Sequence, residues 1–446
     1  MDTSFKKIFK ASGAAAFGQG LNIVTQLLLV PIFIKFWGAQ LYGEWLILSA
    51  APSVIAMAGD LGFGVVTANE MNINVAKGDK NEALKVFQNS WIVVSVFSLI
   101  FLLMAGGAIL LLSVNSSFNI SFIAENHSKL ILLVFILNIL VIQQNGLLLA
   151  ALRSEGNYVL GLNIGNISKL IELSSIVLCI LWFKAQPLNI AVIILLVSIL
   201  TSITYKVMLS KRSSWVHYGT ETFDLSTIKR QTPIALSFLS FSVTQAFSIQ
   251  GTVILVGYIL GPAAVVVLST LRTFMNVIKQ VVSIINASIV PELTTAYGLN
   301  DFDKLKKIFT RAIQALVLLI IMFNVFILIL GKPLYLMWTK YHINVSDSFF
   351  YTFALITSIS ALWNLFGIIQ GATNKAKKYA MYNIISIVIS ISGILIFTRF
   401  MGLEGILVSM LLSEVFMLFF VTKDSLSILE VKSFPIFCGQ LIRVRH

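Results

Sequence analysis

Polar side chains recur every three or four residues in an otherwise apolar stretch between residues 262 and 290. This spacing places them on one face of a helix. They are Ser269, Arg272, Asn276, Lys279, Ser283 and Asn286. Two of them are basic, and no acid occurs beside them at helical spacing, so the face predicts a binding site for an anion. The alternative is that Arg272 and Lys279 pair with acids on other helices, such as Asp60 or Glu414.

Uncharged polar side chains form similar stripes in three other apolar segments. They are Gln19, Asn22 and Gln26 in the first, Ser237, Thr244, Ser248 and Thr252 in the second, and Asn383, Ser386 and Ser390 in the third. Because a polar group that faces lipid is costly, several stripes predict a shared hydrated cavity. We expect Gln19, Asn22, Gln26, Thr244 and Ser248 to contact the polar part of the ligand. Small residues such as Gly18 leave close helix packing as the alternative.

Two further charged positions lie inside apolar segments. Asp60 stands in the sequence Gly59-Asp60-Leu61-Gly62-Phe63-Gly64, where a carboxylate would suit a proton or sodium site that couples transport to an ion gradient. A structural anchor for a neighbouring helix is the alternative. Lys169 and Glu172 are three residues apart and are expected to neutralise each other on one helix surface.

The composition places all these residues in a membrane. The chain is 57% hydrophobic and only 11% charged, about half the charge of a soluble protein. Its net charge of +13 is scattered between apolar segments, which indicates contact with anionic lipid and argues against nucleic acid as a partner. The sequence contains no metal-ligand cluster, phosphate-binding loop or nucleophile motif, so we expect neither an enzyme nor a cofactor.

Apolar runs of about 20 residues predict an all-α polytopic membrane protein with about 12 transmembrane helices in two pseudo-symmetric six-helix bundles. Lys and Arg are concentrated in the loops on the side of the N-terminus, which predicts that both termini are cytoplasmic. The predicted domains are an N-terminal bundle over 1–219, a cytoplasmic linker over 220–232, a C-terminal bundle over 233–422 and a basic cytoplasmic tail over 423–446.

An internal repeat supports the two bundles. The pattern of the first copy, Leu41–Phe87, returns in the second copy, Pro262–Phe309, and a shift of 222 residues aligns their matching residues. Matched pairs are Glu70 with Glu292, Asp79 with Asp301, Lys85 with Lys307, Val86 with Ile308 and Phe87 with Phe309. We therefore expect the same local structure at both places.

A set of short motifs carries a resemblance to a known family. The motifs are Gln19-Gly20, Pro31, Tyr42-Gly43-Glu44-Trp45, Pro52, Asp60-Leu61-Gly62-Phe63-Gly64 and Glu70-Met71. Together they resemble the O-antigen type (Wzx-like) polysaccharide flippases of the MATE-like MOP exporter superfamily. The resemblance is densest over the first ninety residues, and the twelve-span layout extends it along the chain.

The resemblance implies a flippase of the bacterial inner membrane that works by alternating access. Its substrate would be a polyprenyl-diphosphate-linked oligosaccharide, moved from the cytoplasmic to the outer leaflet, with a polymerase and glycosyltransferases acting beside it. Such relatives have a cationic central cavity, which Arg272 and Lys279 match. The nearest alternative is a multidrug or small-solute antiporter, for which an acidic or aromatic pocket is expected. A membrane glycosyltransferase or polymerase is disfavoured because the outer loops are short and poor in acids.

Overall fold

The computed structural model describes residues 3–58, 62–299, 301–373 and 377–430, and every regular element in these ranges is helical, as the sequence predicts. The helices are α1 (Thr3–Ala58), α2 (Phe63–Ala76), α3 (Lys80–Leu111), α4 (Val114–Phe118), α5 (Glu125–Ser154), α6 (Tyr158–Phe183), α7 (Pro187–Arg212), α8 (Leu225–Ala246), α9 (Thr252–Leu260), α10 (Pro262–Gly298), α11 (Phe302–Phe326), α12 (Lys332–Trp338), α13 (Asp347–Ala372), α14 (Lys377–Met401) and α15 (Leu403–Ile428). Short π-helical segments, Phe247–Gly251 and Ile327–Gly331, join α8 to α9 and α11 to α12.

The number of membrane spans agrees with the prediction. Among the described residues, 11 helical stretches are long and apolar enough to cross a membrane, and the first of them, Gly13–Val54, has 42 residues. Gly38 interrupts this stretch with φ 74° and ψ 170°, a backbone conformation that favours glycine. Because Gly38 divides α1 into two helices, the first stretch holds two spans, which brings the described chain to about twelve.

The chain forms two compact units, unit 1 (Met1–Pro262) and unit 2 (Ala263–His446). Unit 1 extends beyond the linker predicted at 220–232 because α8, the segment Phe247–Gly251 and α9 all pack against α1. Residues 225–232 of the predicted linker form the first turns of α8. In unit 2, α13 and α14 both pack against α15.

The two copies of the repeat have the same local structure where α3 and α11 begin. Asp79 caps α3 by accepting a hydrogen bond from the backbone N–H of Glu82 at 2.9 Å. Asp301 caps α11 in the same way, accepting from the backbone N–H of Lys304 at 3.0 Å. Phe87 and Phe309, matched by the shift, are both fully buried. The repeat predicted from the sequence is therefore confirmed at this element.

In unit 1, two buried amides hold the segment between α7 and α8 against α3. Gln88 donates to the Glu221 carboxylate at 2.8 Å and accepts from the Thr222 hydroxyl at 2.7 Å. Asn89 accepts from the backbone N–H of Asp224 at 2.8 Å. Because Gln88 and Asn89 have no exposed surface, these hydrogen bonds fix the entry into α8.

The start of α8 is also attached to α2. The Glu70 carboxylate accepts two hydrogen bonds from the Arg230 guanidinium, at 2.9 and 3.1 Å, and a third from Gln231 at 2.9 Å. Gly62, with φ 79°, lies so close to α8 that a Cβ atom there would be 2.1 Å from the carbonyl oxygen of Ala235. Glycine is therefore required at position 62 both by conformation and by space.

Candidate functional site

Helix α10 has one apolar and one polar face, as its sequence predicts. The apolar face is buried and includes Leu271, Met275, Ile278 and Val282. Ile278 and Val282 belong to the hydrophobic core of unit 2, which fixes the rotation of α10 about its axis. The adjacent face, about 100° further round the helix, carries Arg272, Asn276 and Lys279, all half-buried. We call these last three residues the basic face.

Arg272 and Lys279 act on each other as like charges because they lie two helical turns apart. Further along the same helix, the side-chain oxygen of Asn286 is buried and has no hydrogen-bond partner within the described part of the protein. Two cations next to an unoccupied acceptor on one helix form a polar surface within an apolar span. Such a surface is suited to a hydrated or anionic group rather than to a lipid chain.

An acid on another helix of unit 2 lies near the basic face. Glu414 on α15 is half-buried, and its charge interacts with that of Lys279. The pairing considered above as the alternative for Lys279 therefore exists as an electrostatic interaction, but the two side chains form no direct salt bridge. Trp363 on α13 donates its indole N–H to the Glu414 carboxylate, and Ser360 forms a second hydrogen bond with it.

Aromatic rings surround this acid. The rings of Trp363 and Tyr379 are 6.3 Å apart, and the Tyr379 side chain interacts electrostatically with Glu414. Tyr379 packs against Gly367, where a Cβ atom would lie 2.9 Å from the ring. Helices α10, α13, α14 and α15 therefore build one cluster, which combines two cations, one carboxylate and two aromatic side chains.

The uncharged candidate residues lie in unit 1. On α1, Gln19 and Gln26 are exposed and Asn22 is half-buried. Thr244 on α8 is buried, whereas Ser248 is exposed and lies in the π-helical segment Phe247–Gly251. Helix α1 as a whole packs against α8 and this segment, and its part before Gly38, which carries Gln19, Asn22 and Gln26, also contacts α6, where Asn166 donates to the carbonyl of Ala14 at 2.8 Å. A π-helical turn at Ser248 is a feature that proteins often place at functional sites.

The remaining charged candidates have different outcomes. Asp60 lies outside the described residues, so its proposed role in ion coupling stays a prediction. Lys169 is exposed and Glu172 is half-buried on α6; the charge of Lys169 acts on Glu172, as predicted, but the two side chains form no direct salt bridge. Among the described residues, no group of three or more His, Cys, Asp or Glu side chains is placed to hold a metal ion.

Sequence reasoning missed the role of Glu44. This glutamate has no exposed surface and accepts hydrogen bonds from the backbone N–H groups of Ser121, Phe122 and Ile123, each at 2.8 Å. Its position in an apolar segment was the available signal, because a buried carboxylate needs donors. Here the donors come from a loop, so Glu44 anchors the connection between α4 and α5.

Comparisons with solved structures identify the fold. The chain superimposes on an inward-facing multidrug resistance MATE family transporter of the MOP superfamily with a TM-score of 0.76, at 16% identity, over 95% of this chain and 96% of that one. An outward-facing transporter of the same description matches with a TM-score of 0.63, at 17% identity, over 96% and 97% of the two chains. A MOP superfamily transporter from Pyrococcus furiosus, described as having a binding pocket of reverse polarity that suggests a different function, matches at 0.60 and 16% identity, over 95% and 96%.

No protein-family model and no curated protein matches the chain. At identities of 16% and 17%, the structural matches establish the fold alone. The chain therefore has the fold of MATE family transporters.

Proposed function

We propose that this protein is a flippase that moves a polyprenyl-diphosphate-linked oligosaccharide from the cytoplasmic to the outer leaflet of the bacterial inner membrane. The basic face of α10 carries the proposal. Arg272 and Lys279 lie on the polar side of a membrane helix, next to a buried apolar side of the same helix. A diphosphate is the ligand group whose charge matches two cations that lie two helical turns apart.

Simple electrostatics gives the contribution of each cation. In a hydrated cavity with an effective dielectric constant of about 20, a cation about 5 Å from a phosphate charge gains roughly 3 kcal/mol. Arginine also holds two phosphate oxygens through parallel hydrogen bonds, which lysine cannot reproduce. Arg272 is therefore assigned the larger share of diphosphate binding and Lys279 the smaller share. Asn276, Gln19, Asn22, Gln26, Thr244 and Ser248 are assigned to the sugar.

The proposal includes an orientation and a cellular setting. Both termini lie in the cytoplasm, and a polymerase and glycosyltransferases supply and consume the sugar chain. Cysteine labelling tests the orientation: Tyr341→Cys should react only with reagents outside the cell, and a cysteine in the segment 213–224 only after permeabilisation. Labelling of Tyr341→Cys from the cytoplasm alone would contradict it.

Complementation of a flippase-deficient bacterium tests the function. Arg272→Ala should abolish surface polysaccharide, Arg272→Lys should restore part of it, and Lys279→Ala should have the milder effect. Immunoblots of the membrane fraction must show equal protein levels, because a variant that misfolds would also lose activity. Full complementation by Arg272→Ala with Lys279→Ala, at normal protein level, would exclude binding of the diphosphate by these residues.

A second candidate function is a multidrug antiporter. One observation favours it: Glu414 lies beside Trp363 and Tyr379, and an acid among aromatic rings suits an organic cation. The solved structures with this fold include multidrug resistance transporters. Under this alternative, Glu414→Gln should abolish resistance to cationic drugs, and Arg272→Ala should leave it unchanged.

A further inference from the structure

Glu414 has an unusual setting for a carboxylate in a membrane span. It lies midway along α15, between the buried side chains Ser413 and Met417. Its hydrogen bonds come from neutral donors, Trp363 and Ser360. A carboxylate that is removed from water needs a positive charge nearby. Ile278 and Val282 of α10 share the core of unit 2 with Met417 of α15, and the cation whose charge acts on Glu414 is Lys279 of α10.

The two charges interact without closing into a salt bridge. The charge of Lys279 acts on Glu414 and that of Glu414 on Lys279, yet no direct ion pair joins the two side chains. The indole of Trp363 holds the carboxylate at a fixed position on the α13 side of the cluster. Lys279 thus keeps hydrogen-bonding capacity toward a third group, because an ammonium has three donors and Glu414 occupies none of them directly.

We propose that Glu414 is an internal counterion of the basic face: it balances Lys279 in the empty transporter, and an anionic ligand displaces it from this role. The inference rests on the proposed function, since it requires an anionic ligand at Lys279. When a phosphate oxygen pairs with Lys279, the carboxylate loses its cationic partner in an apolar span. Glu414 then takes up one proton from water and becomes a neutral acid, while Lys279 keeps its own proton.

The other groups around Glu414 allow this exchange. From α10 it interacts with Lys279, which in turn interacts with Arg272; from α13 it interacts with Trp363 and Ser360, and from α14 with Tyr379. Trp363, Ser360 and Tyr379 are neutral, so within the described part of unit 2 the charge balance at this position is set by Glu414 and the basic face. Ligand binding and proton uptake are therefore linked, and binding should weaken as the pH rises.

The test is calorimetric titration of the purified full-length protein with farnesyl diphosphate. Titrations at pH 7.5 in two buffers of different ionisation enthalpy give the number of protons taken up per ligand. Glu414→Gln removes the internal counterion without changing the shape of the side chain. It should bind farnesyl diphosphate about tenfold more tightly than the wild type, equivalent to about 1.4 kcal/mol, and should take up fewer protons.

Two further variants complete the experiment. Glu172→Gln removes another half-buried acid of a membrane helix, on α6 of unit 1, and should match the wild type in affinity and proton uptake. Lys279→Gln deprives Glu414 of its partner before the ligand arrives, so proton uptake on binding should also fall. If Glu414→Gln does not fold, Lys279→Gln still tests the counterion role.

The possible outcomes distinguish the counterion role of Glu414 from the proposed flippase function. If the wild type binds farnesyl diphosphate but neither Glu414→Gln nor Lys279→Gln lowers proton uptake, the counterion role is overturned and the flippase proposal stands. If the folded wild type binds no farnesyl diphosphate at this site, both are overturned. Equal changes in Glu172→Gln and Glu414→Gln would also contradict a specific role for Glu414.

Discussion

The two copies of the repeat share a scaffold but place their charges differently. At the shift of 222 residues, Arg272, Asn276 and Lys279 of the second copy correspond to Ala50, Val54 and Met57 of the first. The charged contacts of the first copy instead attach it to other parts of unit 1: Glu70 in α2 binds Arg230 at the start of α8, and Glu44 in α1 binds the loop at 121–123. The charged groups of the first copy thus serve as attachment points, whereas the second copy carries cations within an apolar span.

The two copies also differ in whether their helix is continuous. In the first copy, Gly62 has a left-handed backbone with φ 79° directly before α2 begins at Phe63, whereas α10 of the second copy continues as one helix from Pro262 to Gly298. A continuous helix holds the basic face at a constant spacing, as the proposed diphosphate site would require. The left-handed residue Gly62 lies close to α8, whereas the matching position 284 lies inside a regular helix. The duplication therefore predicts where the helices lie but not which copy carries the site.

The largest expected effect comes from Gly62→Ala, which disturbs the close contact between Gly62 of the first copy and α8. The added methyl group would lie 2.1 Å from the carbonyl oxygen of Ala235, at a φ of 79°. We expect a loss of stability of about 3 kcal/mol, seen as a lower midpoint of thermal unfolding in detergent. Gly146→Ala is the control, because a Cβ atom there meets nothing within 4 Å. Equal midpoints for the two variants would contradict the close packing of α8 against Gly62.

A smaller effect is expected from Gln88→Leu, which removes the buried amide that fixes the segment before α8. The second copy has Thr310 at the matching position, so this contact also distinguishes the copies. Loss of the amide leaves the backbone N–H of Thr222 without its acceptor, at a cost of about 2 kcal/mol. Asn81→Ala, at an exposed position of the same helix, should leave the unfolding midpoint unchanged. A midpoint for Gln88→Leu equal to that of Asn81→Ala would show that the amide does not stabilise the segment.

The smallest effect depends on pH and concerns Asp224, the N-cap of α8. An ion pair with Lys85 at 2.6 Å, followed by hydrogen bonds from Ser226, lowers the pKa of Asp224 well below its usual value. A lowered pKa in the folded state adds stability that is present above the unfolded value, about 3.9, and is lost as the pH falls through the folded pKa. Asp224→Asn should therefore lower the unfolding midpoint at pH 7, and this difference should shrink below about pH 4. A difference that does not change between pH 7 and pH 3 would contradict the ion pair.

Periodicity explains which features the sequence reveals. Residues three and four apart share a helix face whatever surrounds the helix, so the basic face of α10 can be read from sequence. The match of Asp79 with Asp301 likewise predicts the same local structure at both places. Contacts between helices far apart in the chain follow no such rule. The hydrogen bond from Trp363 to Glu414 and those from the loop at 121–123 to Glu44 depend on which helices pack together, and the periodicity of a single helix does not contain that information.

A transport assay with the protein in proteoliposomes shows directly whether the second copy carries a cationic site for a lipid diphosphate. Proteoliposomes would be loaded either with a short-chain prenyl diphosphate that carries a fluorescent sugar or with ethidium, a cationic dye. The account predicts that the protein moves the prenyl diphosphate and not ethidium, and that Arg272→Ala removes this activity while Glu172→Gln keeps it. Transport of ethidium that is unaffected by Arg272→Ala, without movement of the prenyl diphosphate, would contradict the account.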